Sequence, residues 1–186
     1  MKKRERGFTL IELMATVAII AILAGIGVTV LQKFIYRGRV SEVSSMFYRI
    51  ITKENSYYNE FGTYVSNGWA PVAPAAVSGQ GSMKWPAPAN IIVRGFEEIG
   101  FRPDKSTVWH IFRVTACKDV TQAPCSTLPC SSAPRNFPNL YTGPGFIIEA
   151  IGDVNNDGNQ GHYCATSHST VPILVTPDWP GQESAF

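Results

Sequence analysis

Histidine, cysteine and clustered carboxylates are the residues of this chain that could carry chemistry. The three histidines are His110, His162 and His168. No G-x-S-x-G elbow, H-E-x-x-H pair or paired-carboxylate motif accompanies them, so each reads as a packed or solvated imidazole and no catalytic residue is assigned. Asp153-Val154-Asn155-Asn156-Asp157-Gly158 alternates oxygen-bearing side chains as the first half of a calcium loop does. The twelfth position of such a loop should be Glu, and here it is Cys164, so the bidentate ligand is missing. An Asx/Gly turn between two strands is the favoured reading, with Asp153, Asn155 and Asp157 as a weak calcium site the minority one. No other cofactor is expected. Cys117, Cys125, Cys130 and Cys164 have spacings unlike those of zinc knuckles. Their even number suits two disulfides in an oxidising compartment. Three pairings are open, and the one expected joins Cys125 to Cys130 and Cys117 to Cys164.

One more carboxylate stands apart. Glu12 lies at the start of an apolar run whose residues 13–32 carry no charge. A segment of that length spans a bilayer core as a helix. The basic tip before it, Lys2-Lys3-Arg4-Glu5-Arg6, predicts that the N-terminus stays cytoplasmic and the remainder is exported. A signal peptide has a shorter apolar core and a clearer cleavage site than Ala24-Gly25-Ile26-Gly27 offers. Neither that nor a plain anchor explains Glu12, because a carboxylate inside an apolar helix costs ~2.5–3.5 kcal/mol on translocon scales unless compensated. The tip also accounts for the charge of the chain. Formal net charge is +2, those five residues contribute +3, and a basic nucleic-acid surface is not expected on the rest.

Gly7-Phe8-Thr9-Leu10-Ile11-Glu12-Leu13, after a short basic leader and before an apolar helix, resembles the class III signal of type IV pilins and pseudopilins. The resemblance implies that a prepilin peptidase cuts between Gly7 and Phe8 and methylates the Phe8 amine. It implies that Glu12 pairs with the Phe8 amine of a neighbouring subunit during assembly. Many pilins carry proline where this chain has Thr29, and Gly25 and Gly27 are the residues here that would loosen the same stretch.

The helical pattern runs on. Tyr36, Val40, Val43, Phe47, Ile50, Glu54, Tyr57 and Phe61 recur at steps of three and four, a seam interrupted by Glu54. Gly62 is the expected stop. A helix over residues 8–60 is ~80 Å long at ~1.5 Å per residue, more than a domain of this size buries alone. Lipid must cover its apolar half first and sister helices afterwards. Tyr57-Tyr58-Asn59-Glu60-Phe61-Gly62-Thr63-Tyr64 resembles the end of a pilin helix and its exit. Its aromatics read as packing rather than an electron path.

All 13 prolines follow residue 70. Residues 65–89 lack periodicity and read as a connecting loop. Strands are expected over 91–96, 108–116, 145–151, 162–167 and 171–175. Helix followed by strands predicts an α+β fold, the second half of the helix packed on an antiparallel sheet. Glu98-Ile99-Gly100-Phe101-Arg102-Pro103 resembles a sequence of some major pilins of gliding bacteria. The expected division is a cleaved leader over 1–7, the long helix over 8–62, a connecting loop over 63–90 and a disulfide-bonded head over 91–186.

These readings predict a non-enzymatic filament subunit for adhesion, motility or uptake. It would start in the inner membrane and end in an extracellular pilus on a Gram-negative-type surface. The implied partners are sister subunits, the prepilin peptidase and the inner-membrane assembly platform and motor. A type II secretion pseudopilin is the nearest alternative. A membrane-anchored periplasmic enzyme or binding protein is the alternative from another class.

Overall fold

The computed structural model describes residues 7–77, 79, 81–119, 123–127, 143–167 and 169–176. Helix α1 runs without interruption over Leu10–Phe61. The chain forms two compact units, Met1–Arg37 and Gly38–Phe186, and α1 belongs to both. After α1 come β1 (Asn67–Ala70), β2 (Met83–Lys84), α2 (Arg94–Glu98), β3 (Thr107–Val108), β4 (His110–Cys117), β5 (Gly145–Gly152), β6 (Gly161–Thr166) and β7 (Ser169–Thr176). The fold is α+β. Its main sheet has the order β1-β4-β5-β6-β7 with antiparallel pairing throughout, and β2 and β3 form a separate pair.

The period-2 alternation of the strands gives the sheet two distinct faces. Register pairs Phe112 with Ala150 and Val114 with Ile148, then Ala150 with Tyr163 and Ile148 with Ala165. These residues share one face, which packs on the second half of α1. Phe47 meets Phe112 edge-on at 6.2 Å, and Val40, Val43, Phe47 and Ile50 are all buried. The expected seam is thus the buried stripe from Val40 to Glu54, while Tyr36 and Tyr57 are half-buried and Phe61 is exposed. The opposite face carries Arg113, Cys117, Ile147, Glu149, His162 and Cys164 by the same register.

Two expectations about the head are corrected. Residues 91–96 are not a strand but a 3₁₀ turn over Ile91–Val93 followed by α2. Asn90 caps the turn by accepting from the Ile92 N–H, and Val93, Phe96 and Ile99 are buried at helical spacing while Ile91 is 82% exposed. Residues 65–89 are not structureless either. They supply edge strand β1, and Ala70, Val77, Met83 and Trp85 are buried. Asn67 bridges β1 to the start of α2, its Oδ1 accepting from the Gly95 N–H at 2.9 Å. A Cβ on Gly95 would stand 2.8 Å from that oxygen, so the close approach requires glycine.

Candidate processing and assembly site

The first unit offers the motif residues to solvent. Gly7 precedes the helix and Phe8 is 81% exposed. Glu12 is not alone at the helix start. Its Oε2 accepts from the Thr9 N–H at 2.9 Å and from the Thr9 hydroxyl at 2.8 Å, while Thr9 Oγ1 receives the Glu12 N–H at 3.4 Å. With α1 beginning at Leu10, Thr9 is the N-cap and Glu12 the third helical residue, a reciprocal capping box. Sequence reasoning passed over Thr9, although Thr9-x-x-Glu12 carries the signal. The arrangement gives the carboxylate partners within its own chain and places an acid at the positive end of the helix dipole. Beyond it the apolar side chains stay open, with Leu13, Val17, Ile20, Leu23 and Leu31 each more than half exposed. Among the described residues α1 is the single helix long and apolar enough to cross a membrane.

In the second unit the expected disulfide pairing is corrected. Cys117 is bonded to Cys125, with Cα atoms 6.1 Å apart. Cys117 ends β4 and Cys125 opens a short 3₁₀ turn eight residues later. A Cys117–Cys164 bond is excluded by topology, since β5 lies between β4 and β6. Two strand spacings are about 9.6 Å, beyond the Cα separation a disulfide tolerates. Cys164 is also disulfide-bonded, and Cys130 lies outside the described residues.

The oxygen-rich segment is a closed turn. Asp153 is buried, and its carboxylate accepts from the backbone N–H of Gly79 (2.9 Å), Asp157 (3.1 Å) and Gly158 (3.0 Å). Asn155 Nδ2 donates to Asp157 Oδ2 and the Asn159 N–H to Asp157 Oδ1. Those two donors, the Asn159 N–H first, hold the Asp157 carboxyl below its ordinary value. The described contacts are those of the favoured Asx/Gly turn, with N–H groups where a cation would stand.

Residues 2–28 match the prokaryotic N-terminal methylation motif. The fimbrial protein EcpC of Eikenella corrodens is 34% identical over 80 residues, 43% of this chain and 52% of the relative. The type IV major pilin PilA of Myxococcus xanthus is 44% identical over 61 residues, 33% of this chain and 28% of the relative. The type IV major fimbrial protein FimA of Dichelobacter nodosus is 56% identical over 45 residues, 24% of this chain and 29% of the relative. The N-terminal region of the chain is similar to those of type IV pilins and fimbrial proteins. The chain spans about half the length of these curated relatives or less. No solved structure matches it.

His110, His162 and Glu149 of the second unit sit in packed surroundings. His110 is fully buried, its ring edge-on to Tyr163 at 5.5 Å and its Nδ1 3.9 Å from Glu42 Oε2, which accepts the Trp109 N–H. His162 Nε2 lies 3.3 Å from Glu149 Oε1, while Glu149 Oε2 accepts from Arg113 Nε and Nη2. The guanidinium of Arg113 in turn covers the Trp69 ring at 4.6 Å, so one polar ladder crosses four strands. Glu149, His162 and Cys164 converge closely enough to hold a metal ion. The Cys164 sulfur is spent in a disulfide and one Glu149 oxygen on Arg113, which leaves a poor donor set. His168 lies outside the described residues.

Proposed function

We propose that this chain is the structural subunit of an extracellular type IV pilus-like filament that polymerises through α1. The observation that carries the reading is the motif-bearing first unit: behind a cleavable glycine, an apolar helix keeps its side chains exposed, from Leu10 at 79% to Leu31 at 58%. Such a surface needs lipid before assembly and sister helices after it. In this reading the prepilin peptidase cuts between Gly7 and Phe8 and methylates the Phe8 amine. The precursor waits in the inner membrane of a Gram-negative-type cell, and an assembly platform and motor draw it into the filament. Glu12 then exchanges part of its Thr9 contacts for the Phe8 amine of a neighbour, which gives register and charge complementarity. The head forms the outer surface used in adhesion, motility or uptake.

Intact mass and N-terminal sequencing of the cell-associated protein, with and without Gly7→Val, test the reading. The expected product starts at N-methylated Phe8, disappears in the variant, and is found in filaments by electron microscopy. An intact Met1 start, or cleavage near Ala24, would overturn the filament reading in favour of an anchored or secreted periplasmic domain.

A further inference from the structure

Glu54 is the charged residue in the buried seam of α1, and it is 1% exposed. Its Oε2 accepts the N–H of Val65, eleven residues later, at 3.0 Å. Between these two residues the chain reverses. The Gly62 N–H closes the helix on Tyr58 O at 2.8 Å, and Gly62 takes φ +70°, a conformation that favours glycine. Tyr64 then stacks on Tyr58 at 4.4 Å and meets Phe146 edge-on at 4.9 Å. The Glu54–Val65 hydrogen bond therefore ties the exit back onto the helix it has just left. Gly62, Thr63, Tyr64 and Ser66 of that exit form one wall of a cleft of about 380 Å³ that also holds Lys118.

The surroundings of Glu54 are acidic. Glu98 of α2 faces it and accepts from the Tyr57 hydroxyl at 2.9 Å; Tyr57 and Glu60 share its own helix, where the neighbouring Lys53 is exposed. Among the described residues no ion pair includes Glu54. Burial is the main force that pushes its carboxyl up to about 7; the Val65 N–H works the other way, and the charge of Glu98 adds to the rise. An ionised carboxylate here is buried with no ion pair among the described residues, so ionisation favours any conformation that exposes it to solvent.

We propose that Glu54 is a proton-operated clasp on the helix exit. Neutral, it stays buried and holds the Gly62–Val65 reversal and the Tyr64 wall of the cleft against α1. Ionised, it draws water inward and loosens that wall. The device would make that wall of the cleft tighter in mildly acidic surroundings than in neutral or alkaline ones. The folded state binds the Glu54 proton more tightly than the unfolded chain does. Its stabilising share is therefore complete below the ordinary Glu range and is lost as pH rises toward about 7.

The test is urea unfolding of the full-length chain in nonionic detergent between about pH 4.5 and about pH 8, for the parent and for Glu54→Gln. Glutamine keeps the hydrogen-bond acceptor and cannot ionise. The parent should lose on the order of 100-fold in its folding equilibrium constant relative to the variant across that interval. Every other ionisable group is common to both proteins, so the difference between the two isolates Glu54. Parallel curves would overturn the clasp. If Glu54→Gln does not fold, hydrogen exchange at the Val65 amide of the parent decides. Protection, corrected for the chemical exchange rate, should fall as pH rises, and Glu98→Gln, which removes a like charge facing Glu54, should move that fall to lower pH; pH-independent protection of Val65 in the parent overturns the clasp.

Discussion

The two halves of α1 are written in nearly the same apolar alphabet and meet opposite fates. In the first unit Ile20 and Leu23 are each 64% exposed, whereas in the second Val43, Phe47 and Ile50 are fully buried. Helix propensity and period do not separate them, because the helix runs unbroken through both. What differs is whether the same chain supplies a second layer. From Val40 onward the sheet does, and each buried large side chain contributes roughly 1.5–3 kcal/mol to folding. Among the described residues of the first unit nothing does, and the free energy of covering that surface is left to contacts outside the chain. The polar residues follow the same division. Glu12 is satisfied by its neighbour Thr9, while Arg39, Glu42 and Arg49 reach distant backbone at Val154, Trp109 and Arg102.

Truncating one side chain in each half is the strongest way to break this comparison. Phe47→Ala should cost the head about 3–5 kcal/mol, because it opens a cavity where Phe47 meets Phe112. Ile20→Ala should change head stability by no more than about 0.5 kcal/mol, as an exposed substitution does. Urea unfolding of both variants in the same detergent reads the difference. A comparable loss in Ile20→Ala would mean that the first segment is packed within the subunit after all.

A smaller effect is expected at the disulfide. Replacing Cys117 and Cys125 together by serine frees a loop of eight residues, which the chain-entropy account puts at about 2–3 kcal/mol of head stability. The loss should appear in the head's unfolding and leave the proposed cleavage after Gly7 untouched. Altered N-terminal processing in this variant would mean that maturation senses the folded head, and the two regions would no longer be separable.

Legibility in the sequence follows the same divide. Long-range period and an ordered motif are strong signals, so the helix and the Gly7–Glu12 segment were readable to within two residues of the helix ends. Strands β5 and β6 were readable because Gly and Asx residues bracket alternating runs. Residues 91–96 misled because Ile91, Ile92 and Val93 have strand propensity, and of the deciding interactions the Asn90 cap is local while the Asn67–Gly95 contact involves a side chain 28 residues away. Edge strand β1, Asn-Gly-Trp-Ala, is too short to show a period. The cysteine pairing depended on strand order, which spacing does not contain, and the four-strand ladder from Trp69 to His162 depended on register.

The smallest expected effect concerns Asp153, where the head resembles the helix start: in both places a carboxylate takes nearby N–H groups. Both Asp153 oxygens are occupied by the Gly79, Asp157 and Gly158 amides, the first of them 74 residues away in sequence. Asp153→Ala should therefore cost about 1–3 kcal/mol by leaving buried donors unpaired. Calcium at millimolar concentration should leave the thermal midpoint of the parent unchanged, since binding would require those amides to give up their acceptors. A calcium-dependent rise that Asp153→Ala abolishes would show the opposite balance: a divalent cation outcompeting three N–H groups for the same two oxygens, with the missing twelfth-position ligand supplied by water.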